Sequence, residues 1–193
     1  YFQAVGSGTG AIAAWEANLR LIADGRFGSH KMKLMVSQNC PFLPMYEAWK
    51  KDSRDLLPLD EHLARKQVME IQAKVLSNRR PPYSIAGGLY DALKDSGGDM
   101  IKVTNREAHE ASALFRSTEG VSIHPAASIA VGSLMHAAKI KALAPDAVIM
   151  LNITGGGEVE FMNRQPLHRL KPVTVFDINP SPESVSAKLK ELL

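Results

Sequence analysis

Cysteine is almost absent from this chain of 193 residues: Cys40 stands alone, which excludes an intrachain disulfide and gives no reason to expect an oxidising compartment. Aromatic residues are scarce at 6%, and the formal charge is only +3, from 23 basic and 20 acidic side chains scattered along the sequence. A nucleic-acid surface needs clustered basic residues with aromatics interleaved for stacking. Here Arg79-Arg80 is the one adjacent arginine pair. No apolar run approaches the roughly 18 residues of a membrane span, and no basic and then apolar leader precedes the first motif. Internal repeats and low-complexity tracts are also missing, as is any grouping of side chains that suggests a metal. With 45% hydrophobic residues the chain can bury a sizeable core. The expectation is a cytoplasmic globular protein that touches neither nucleic acid nor membrane.

Glycine, by contrast, is present and placed. Val5-Gly6-Ser7-Gly8-Thr9-Gly10-Ala11 lies between a short apolar run and a segment in which Ile12, Trp15, Leu19 and Ile22 share one helical face. Glycines let a backbone turn with positive φ and bring amides close to an anion, and the helix start offers unpaired N–H groups and a positive dipole end. The layout predicts a phosphate site. Gly25 or Gly28 ends the helix, residues 32–37 are the next strand, and Gln38-Asn39-Cys40-Pro41 is a loop, giving a β-α-β unit.

Further on, residues 60–76 read as one charged covering helix with Leu63, Ile71 and Val75 as its buried stripe, and residues 78–88 as a loop rich in breakers. Residues 100–103 read as a strand, with Thr104 and Glu107 spaced as a capping box for a helix to about Ser117. Pro125 suits a helix start, with the helix running over 126–144. The unbroken apolar run 147–151 predicts a central parallel strand covered on both faces, ending in Asn152-Ile153-Thr154-Gly155-Gly156-Gly157. Residues 163–172 read as a crossover, 173–178 as a late strand, 180–182 as a turn, and the chain from Glu183 as a closing helix. The alternation predicts an α/β fold: an open parallel sheet with helices on both faces. Residues 1–193 form one incomplete domain in this reading, with 163–193 as a terminal strand and helix extension.

The phosphate has several conceivable owners. Gly6-x-Gly8-x-x-Ala11 satisfies the dinucleotide fingerprint, but that fingerprint expects an acid at the end of the second strand, where Ser37-Gln38-Asn39 stand; Asp24 falls at a helix end. A nucleoside triphosphate loop needs Lys and then Ser or Thr after its last glycine, and Ala11-Ile12 follow here. A monophosphate held by amides and by the hydroxyls of Ser7 and Thr9 fits better, and a plain tight turn is the bland reading. Thr154-Gly155-Gly156-Gly157, at the carboxyl end of its strand, would be a second wall of a site lying across the strand ends.

Phe2-Gln3-Ala4-Val5-Gly6-Ser7-Gly8-Thr9-Gly10, Glu119-Gly120-Val121-Ser122-Ile123-His124-Pro125-Ala126-Ala127-Ser128 and Asn152-Ile153-Thr154-Gly155-Gly156-Gly157 resemble the later half of the fold-type II pyridoxal phosphate enzymes. Within these they resemble the threonine synthase group, and most of all its cysteate-forming branch, over nearly the whole chain. The resemblance implies part of a tryptophan synthase β-like fold. It implies that Gly6, Ser7, Gly8, Thr9 and Gly10 bind the phosphate of pyridoxal 5'-phosphate and that Thr154 meets its pyridine nitrogen. A hydroxyl there does not hold the nitrogen protonated, which favours elimination and replacement over transamination. The implied activity is that of a synthase or lyase in coenzyme M biosynthesis: β-replacement on O-phospho-L-serine by sulfite, giving L-cysteate and phosphate. Threonine synthase, acting on O-phosphohomoserine, is the nearest alternative; a NAD-binding oxidoreductase domain and a non-catalytic interaction module are the readings from other classes.

Family members carry their cofactor lysine well upstream of the phosphate loop, so the resemblance places the catalytic residue ahead of Tyr1. No lysine in this chain matches it, and the chain alone is expected to be inactive. The expected partners are a phospho-amino acid, sulfite, the missing N-terminal half and further copies of the protein. Among individual residues, His124 reads as a helix-start residue near the site, Cys40 as a small buried hydrophobe, and Arg79 and Arg80 either as solvated loop residues or as bidentate ligands for an oxyanion.

Overall fold

A computed structural model describes residues 1–166, 168, 170–176 and 179–192. Three parallel strands, β1 (Phe2–Ala4), β2 (Met35–Asn39) and β3 (Asp99–Val103), lie in the order β1-β2-β3. Phe2 pairs with Met35, and Met35 with Asp99. Parallel neighbours need crossovers. The first is α1 (Thr9–Asp24); the second comprises α2 (Pro44–Lys50), α3 (Glu61–Glu70), a 3-10 turn (Lys74–Leu76) and α4 (Leu89–Ser96). After β3 come α5 (Asn105–Glu119), α6 (Pro125–Lys139), α7 (Glu158–Arg164) and α8 (Pro182–Leu192).

Side chains alternate across the sheet. Phe2, Ala4, Ile101 and Val103 pack with Ala108 of α5 and Ala126, Ile129, Ala130 and Ala137 of α6. Val36 and Met100 face the other way, onto Ala11 of α1, Met45 and Ala48 of α2, and Leu89, Ala92 and Leu93 of α4. The architecture is therefore the open parallel sheet with helices on both faces that the sequence predicts. The chain forms two compact units, Tyr1–Glu160, which holds the sheet, and Phe161–Leu193. Among the described residues no helix is long and apolar enough to cross a membrane.

Several segments depart from the sequence reading. Residues 60–76 are not one helix. Asp60 caps α3 through Oδ1, which accepts from the amides of His62 and Leu63, and α3 stops at Glu70. Beyond it the Gln72 and Ala73 amides bond to Asn105 Oδ1 and Asn39 Oδ1, both at 2.9 Å, instead of to helical carbonyls. The stripe changes accordingly: Ala64, Ile71 and Leu76 are buried, while Leu63 and Val75 are 50% and 79% exposed. β2 begins at Met35, three residues late, because the Met32 amide donates to Asn18 Oδ1 and the Leu34 amide to Ser96 Oγ. α6 ends at Lys139, where Lys141 takes φ 53° and the Ala142 amide turns back to Ala137 O at 3.0 Å.

The run 147–151 is not a central strand. Only Leu151 bridges, in parallel with Phe2, on the outer side of β1, and Val148 is fully exposed. In the second unit, the described part of the expected late strand, residues 173–176, has no strand structure; residues 177 and 178 lie outside the described residues, as do Leu167 and Arg169 of the expected crossover and Leu193 of the closing helix.

Candidate functional site

β1 delivers the chain into the glycine loop at the carboxyl end of the sheet, and α1 leaves it. Each glycine is pressed from behind by a different element. A Cβ on Gly6 would stand 3.0 Å from Val75 O, one on Gly8 2.9 Å from Leu89 Cδ2, and one on Gly10 2.5 Å from Gln3 Nε2. Gly8 also has φ 86° as the N-cap of α1, a conformation that costs a residue with a Cβ about 1–2 kcal/mol.

This N-cap offers no side chain to the first turn of α1, which also carries no acidic residue. The first intrahelical bond is donated by the Ile12 amide to Gly8 O. The Thr9 amide reaches only Ser7 Oγ, at 3.4 Å, and among the described residues the Gly10 and Ala11 amides meet no acceptor. The Ser7 and Thr9 hydroxyls bond to each other at 2.9 Å. Unpaired amides, two hydroxyls, the positive end of a helix dipole and a first turn without an acidic residue suit a phosphate monoester.

The second glycine segment leaves the same end of the sheet. The Asn152 amide donates to Phe2 O at 3.0 Å, so Thr154 and the loop at Gly6 follow adjacent chain paths beyond the sheet. A side-chain path joins them: Asn152 Nδ2 donates to the Tyr1 hydroxyl, which donates to Gln3 Oε1, both at 2.9 Å, and Gln3 Nε2 abuts Gly10. Burial raises the Tyr1 phenol above its usual range despite the Asn152 amide, keeping the hydroxyl protonated for this donation. Thr154 is exposed.

Gly155 and Gly156 are dictated by a close backbone pairing. Gly156 forms an antiparallel bridge with Ile123, the His124 amide donates to Gly155 O at 2.9 Å, and the Gly157 amide donates to Ser122 O at 2.7 Å. A Cβ on Gly156 would fall 2.4 Å from Ser122 O, and one on Gly155 2.7 Å from His124 Nδ1. His124 is thus brought against this segment, with its Nε2 3.4 Å from Glu158. Ser122 Oγ donates to Glu160 at 2.6 Å, which with the nearby Arg116 holds that carboxyl below its usual range.

The ends of β2 and β3 carry a buried amide network that sequence reasoning missed. Asn39 Oδ1 accepts from the Ala73 amide, while Nδ2 donates to Val103 O and Asn105 Oδ1. Asn105 Nδ2 donates to Glu70 O. Gln38 Oε1 accepts from the Met45 and Tyr46 amides at the start of α2, and its Nε2 is buried without a partner among the described residues. Two amide side chains closing an apolar strand were the available signal; Gln38 and Asn39, which the sequence reading puts in a loop, are the last two residues of β2, paired with Lys102 and Val103.

β2 ends in Ser37, Gln38 and Asn39, none of them an acid that could bind a ribose. Asp24, the last residue of α1, pairs with Arg26, which holds its carboxyl low. Cys40 is free and only partly buried. Arg79 pairs with Glu61, and the Arg80 amide donates to Asn78 Oδ1. Among the described residues no group of three or more His, Cys, Asp or Glu side chains could hold a metal.

No family model matches the chain. Among curated proteins it is 49% identical to cysteate synthase of Methanosarcina barkeri over 90% of its length, 52% identical to that of Methanosarcina mazei over 91%, and 50% identical to that of Methanosarcina acetivorans over 93%. It spans 42% of each of these relatives. Among solved structures, a threonine deaminase matches 88% of the chain and 50% of its own, with a TM-score of 0.52 at 13% identity, a likeness of fold.

Proposed function

For a chain homologous to about two-fifths of a cysteate synthase, we propose that it is the phosphate-anchoring part of a pyridoxal 5'-phosphate enzyme that converts O-phospho-L-serine and sulfite to L-cysteate and phosphate. The observation that carries the reading is the start of α1, where among the described residues the amides of Gly10 and Ala11 lack acceptors behind a glycine loop closely packed by Val75, Leu89 and Gln3. The amides of Gly8, Thr9, Gly10 and Ala11 and the hydroxyls of Ser7 and Thr9 would hold the cofactor phosphate. Gly6 lets the loop pass under residues 75 and 76. Thr154, on the adjacent path, would offer its hydroxyl to the pyridine nitrogen, and the Asn152–Tyr1–Gln3 path would fix that segment relative to the loop.

When bound, pyridoxal phosphate supplies the electron sink for loss of the substrate's β-phosphate. The lysine that holds the cofactor would come from the part of the polypeptide outside this chain, so residues 1–193 alone would show no turnover. The same resemblance supports a cytoplasmic place in coenzyme M biosynthesis. The test is a polypeptide of the relatives' length that contains this chain. It should bind pyridoxal phosphate with a visible absorbance band that borohydride abolishes, and should form L-cysteate from O-phospho-L-serine and sulfite. Absence of the band overturns the cofactor assignment; threonine from O-phosphohomoserine without cysteate overturns the substrate assignment.

A further inference from the structure

Arg79 and Arg80 stand in sequence between two readings, solvated loop residues or ligands of an oxyanion. The structure holds their segment in place at both ends. Upstream, the Gln72 and Ala73 amides are tied to Asn105, which opens α5, and to Asn39, which closes β2, and Leu76 is buried. Downstream, Pro81 and Tyr83 are buried, and the Tyr83 amide donates to Pro81 O. The segment also departs directly from the glycine loop: a Cβ on Gly6 would stand 3.0 Å from Val75 O and 3.1 Å from Leu76 Cα, and Ser77 is the next residue. Ser77, Asn78, Arg79 and Arg80 then line, with Glu61, a hollow of about 390 Å³. That is the low end of the range for small-molecule sites, about 300–1,000 Å³. A segment pinned at both ends has little freedom to lose when a ligand binds.

Donors prevail in this hollow. Asn78 Oδ1 accepts the Arg80 amide at 2.9 Å, which leaves the Asn78 amino group and the Ser77 hydroxyl to donate. Arg79 pairs with Glu61, while the Arg80 guanidinium meets no carboxylate among the described residues, so one positive charge of the lining is unmatched. Lys74, by contrast, uses its ammonium on Val68 O and Met69 O. We infer that Arg79 and Arg80 form an oxyanion site beside the glycine loop and that its ligand in the proposed reaction is sulfite. The inference rests on the preceding reading for the identity of the anion. In that reading the glycine-loop amides are taken by the cofactor's phosphate, so a second oxyanion needs donors of its own. Sulfite, unlike the phospho-amino acid, has no amino or carboxylate group by which to be held, only its oxygens. A planar guanidinium binds such oxygens bidentately and leaves the sulfur lone pair free. In the net replacement that lone pair becomes the C–S bond, the electron pair of the broken C–O bond leaves with phosphate, and the proton of bisulfite passes to the phosphate. The Arg79–Glu61 pair is about half exposed, so an arriving anion can displace the carboxylate at little cost.

The experiment uses the polypeptide of the relatives' length, supplied with pyridoxal phosphate so that the glycine loop is occupied. Calorimetric titration with sulfate, an unreactive oxyanion of the same class, reads the site without turnover, and steady-state kinetics with each substrate varied in turn identify the anion it serves. Arg80→Gln should weaken sulfate binding and raise the KM for sulfite, each at least about tenfold, with the KM for O-phospho-L-serine changed by less than about twofold and Arg80→Lys falling between. Arg65→Gln removes an exposed cation of α3 that does not line the hollow and should leave sulfate binding within about twofold. Sulfate affinity unmoved by Arg80→Gln, an equal loss in Arg65→Gln, or a raised KM for O-phospho-L-serine in place of sulfite overturns the inference. The two proposals part cleanly: sulfate binding that depends on Arg80 in a protein forming no cysteate removes the function and keeps the anion site, and cysteate formation with a sulfite KM indifferent to Arg80 removes the site and keeps the function.

Discussion

Replacing Gly156 with alanine tests the architecture of the second glycine segment. Its φ is not in the left-handed region, so the effect must come from space. The new Cβ would fall 2.4 Å from Ser122 O and 2.9 Å from Ile123 Cα, both backbone atoms that no rotamer change can move. Relief requires the 122–124 and 155–157 strands to separate, which breaks the His124 N to Gly155 O and Gly157 N to Ser122 O hydrogen bonds. At about 1 kcal/mol for each bond and about 1–3 kcal/mol for overpacking, less about 0.5 kcal/mol for a less flexible unfolded chain, the net loss is about 2.5–4.5 kcal/mol. For a chain of this size that lowers Tm by about 5–18 °C, read by circular dichroism. Gly25→Ala is the control: φ is 78° and nothing lies within 4 Å, so only the strain of about 1–2 kcal/mol applies. A Tm for Gly156→Ala within about 1 °C of the parent, or above that of Gly25→Ala, would refute the reasoning.

Three further outcomes are expected. Gly10→Ala meets only the movable end of Gln3, so its melting should shift by less than about 3 °C, while fluorescence titration of the relatives-length protein should show pyridoxal phosphate binding weakened at least about tenfold; unchanged affinity would remove the loop from the phosphate site. Asn39→Ala strands the buried Ala73 amide, removes the bonds to Val103 O and Asn105 Oδ1, and should cost about 2–4 kcal/mol in urea unfolding, with a loss below about 1 kcal/mol counting against the network. Glu107 is pushed up by burial, but the Thr104 amide and hydroxyl outweigh this and hold its carboxyl below the usual range. Its contribution is therefore present above the unfolded value of about 4.3 and is lost as pH falls through the folded one, so Glu107→Gln should flatten that part of the acid limb of Tm against pH; an unchanged limb would contradict the capping role.

The elements legible in sequence are those whose signals are local. The glycine loop, the capping box at Thr104 and Glu107, and Pro125 at the start of α6 each act within one turn, and each stands where the spacing puts it. The misread segments are governed by distant partners. Asn39 and Asn105, far away in sequence, take the amides that residues 72 and 73 would need to continue α3. Asn18 and Ser96 similarly delay β2. The short helices α2, α4 and α7, of 7, 8 and 7 residues, gave too little periodicity to separate from loops. Within the site, the loop and the pairing demand for Gly155 and Gly156 follow from glycine's small size, but the Asn152–Tyr1–Gln3 path depends on contacts 151 residues apart and has no sequence signature.

The most direct measurement is product analysis with the relatives-length polypeptide loaded with pyridoxal phosphate, supplied with O-phospho-L-serine and sulfite, beside a Ser7→Ala/Thr9→Ala double variant. The account predicts L-cysteate and phosphate in equal amounts from the parent, and a variant whose turnover recovers as pyridoxal phosphate is raised. Release of no cysteate by the parent, or a variant indistinguishable from it at limiting cofactor, would contradict the assignment of the glycine loop as the cofactor's phosphate anchor.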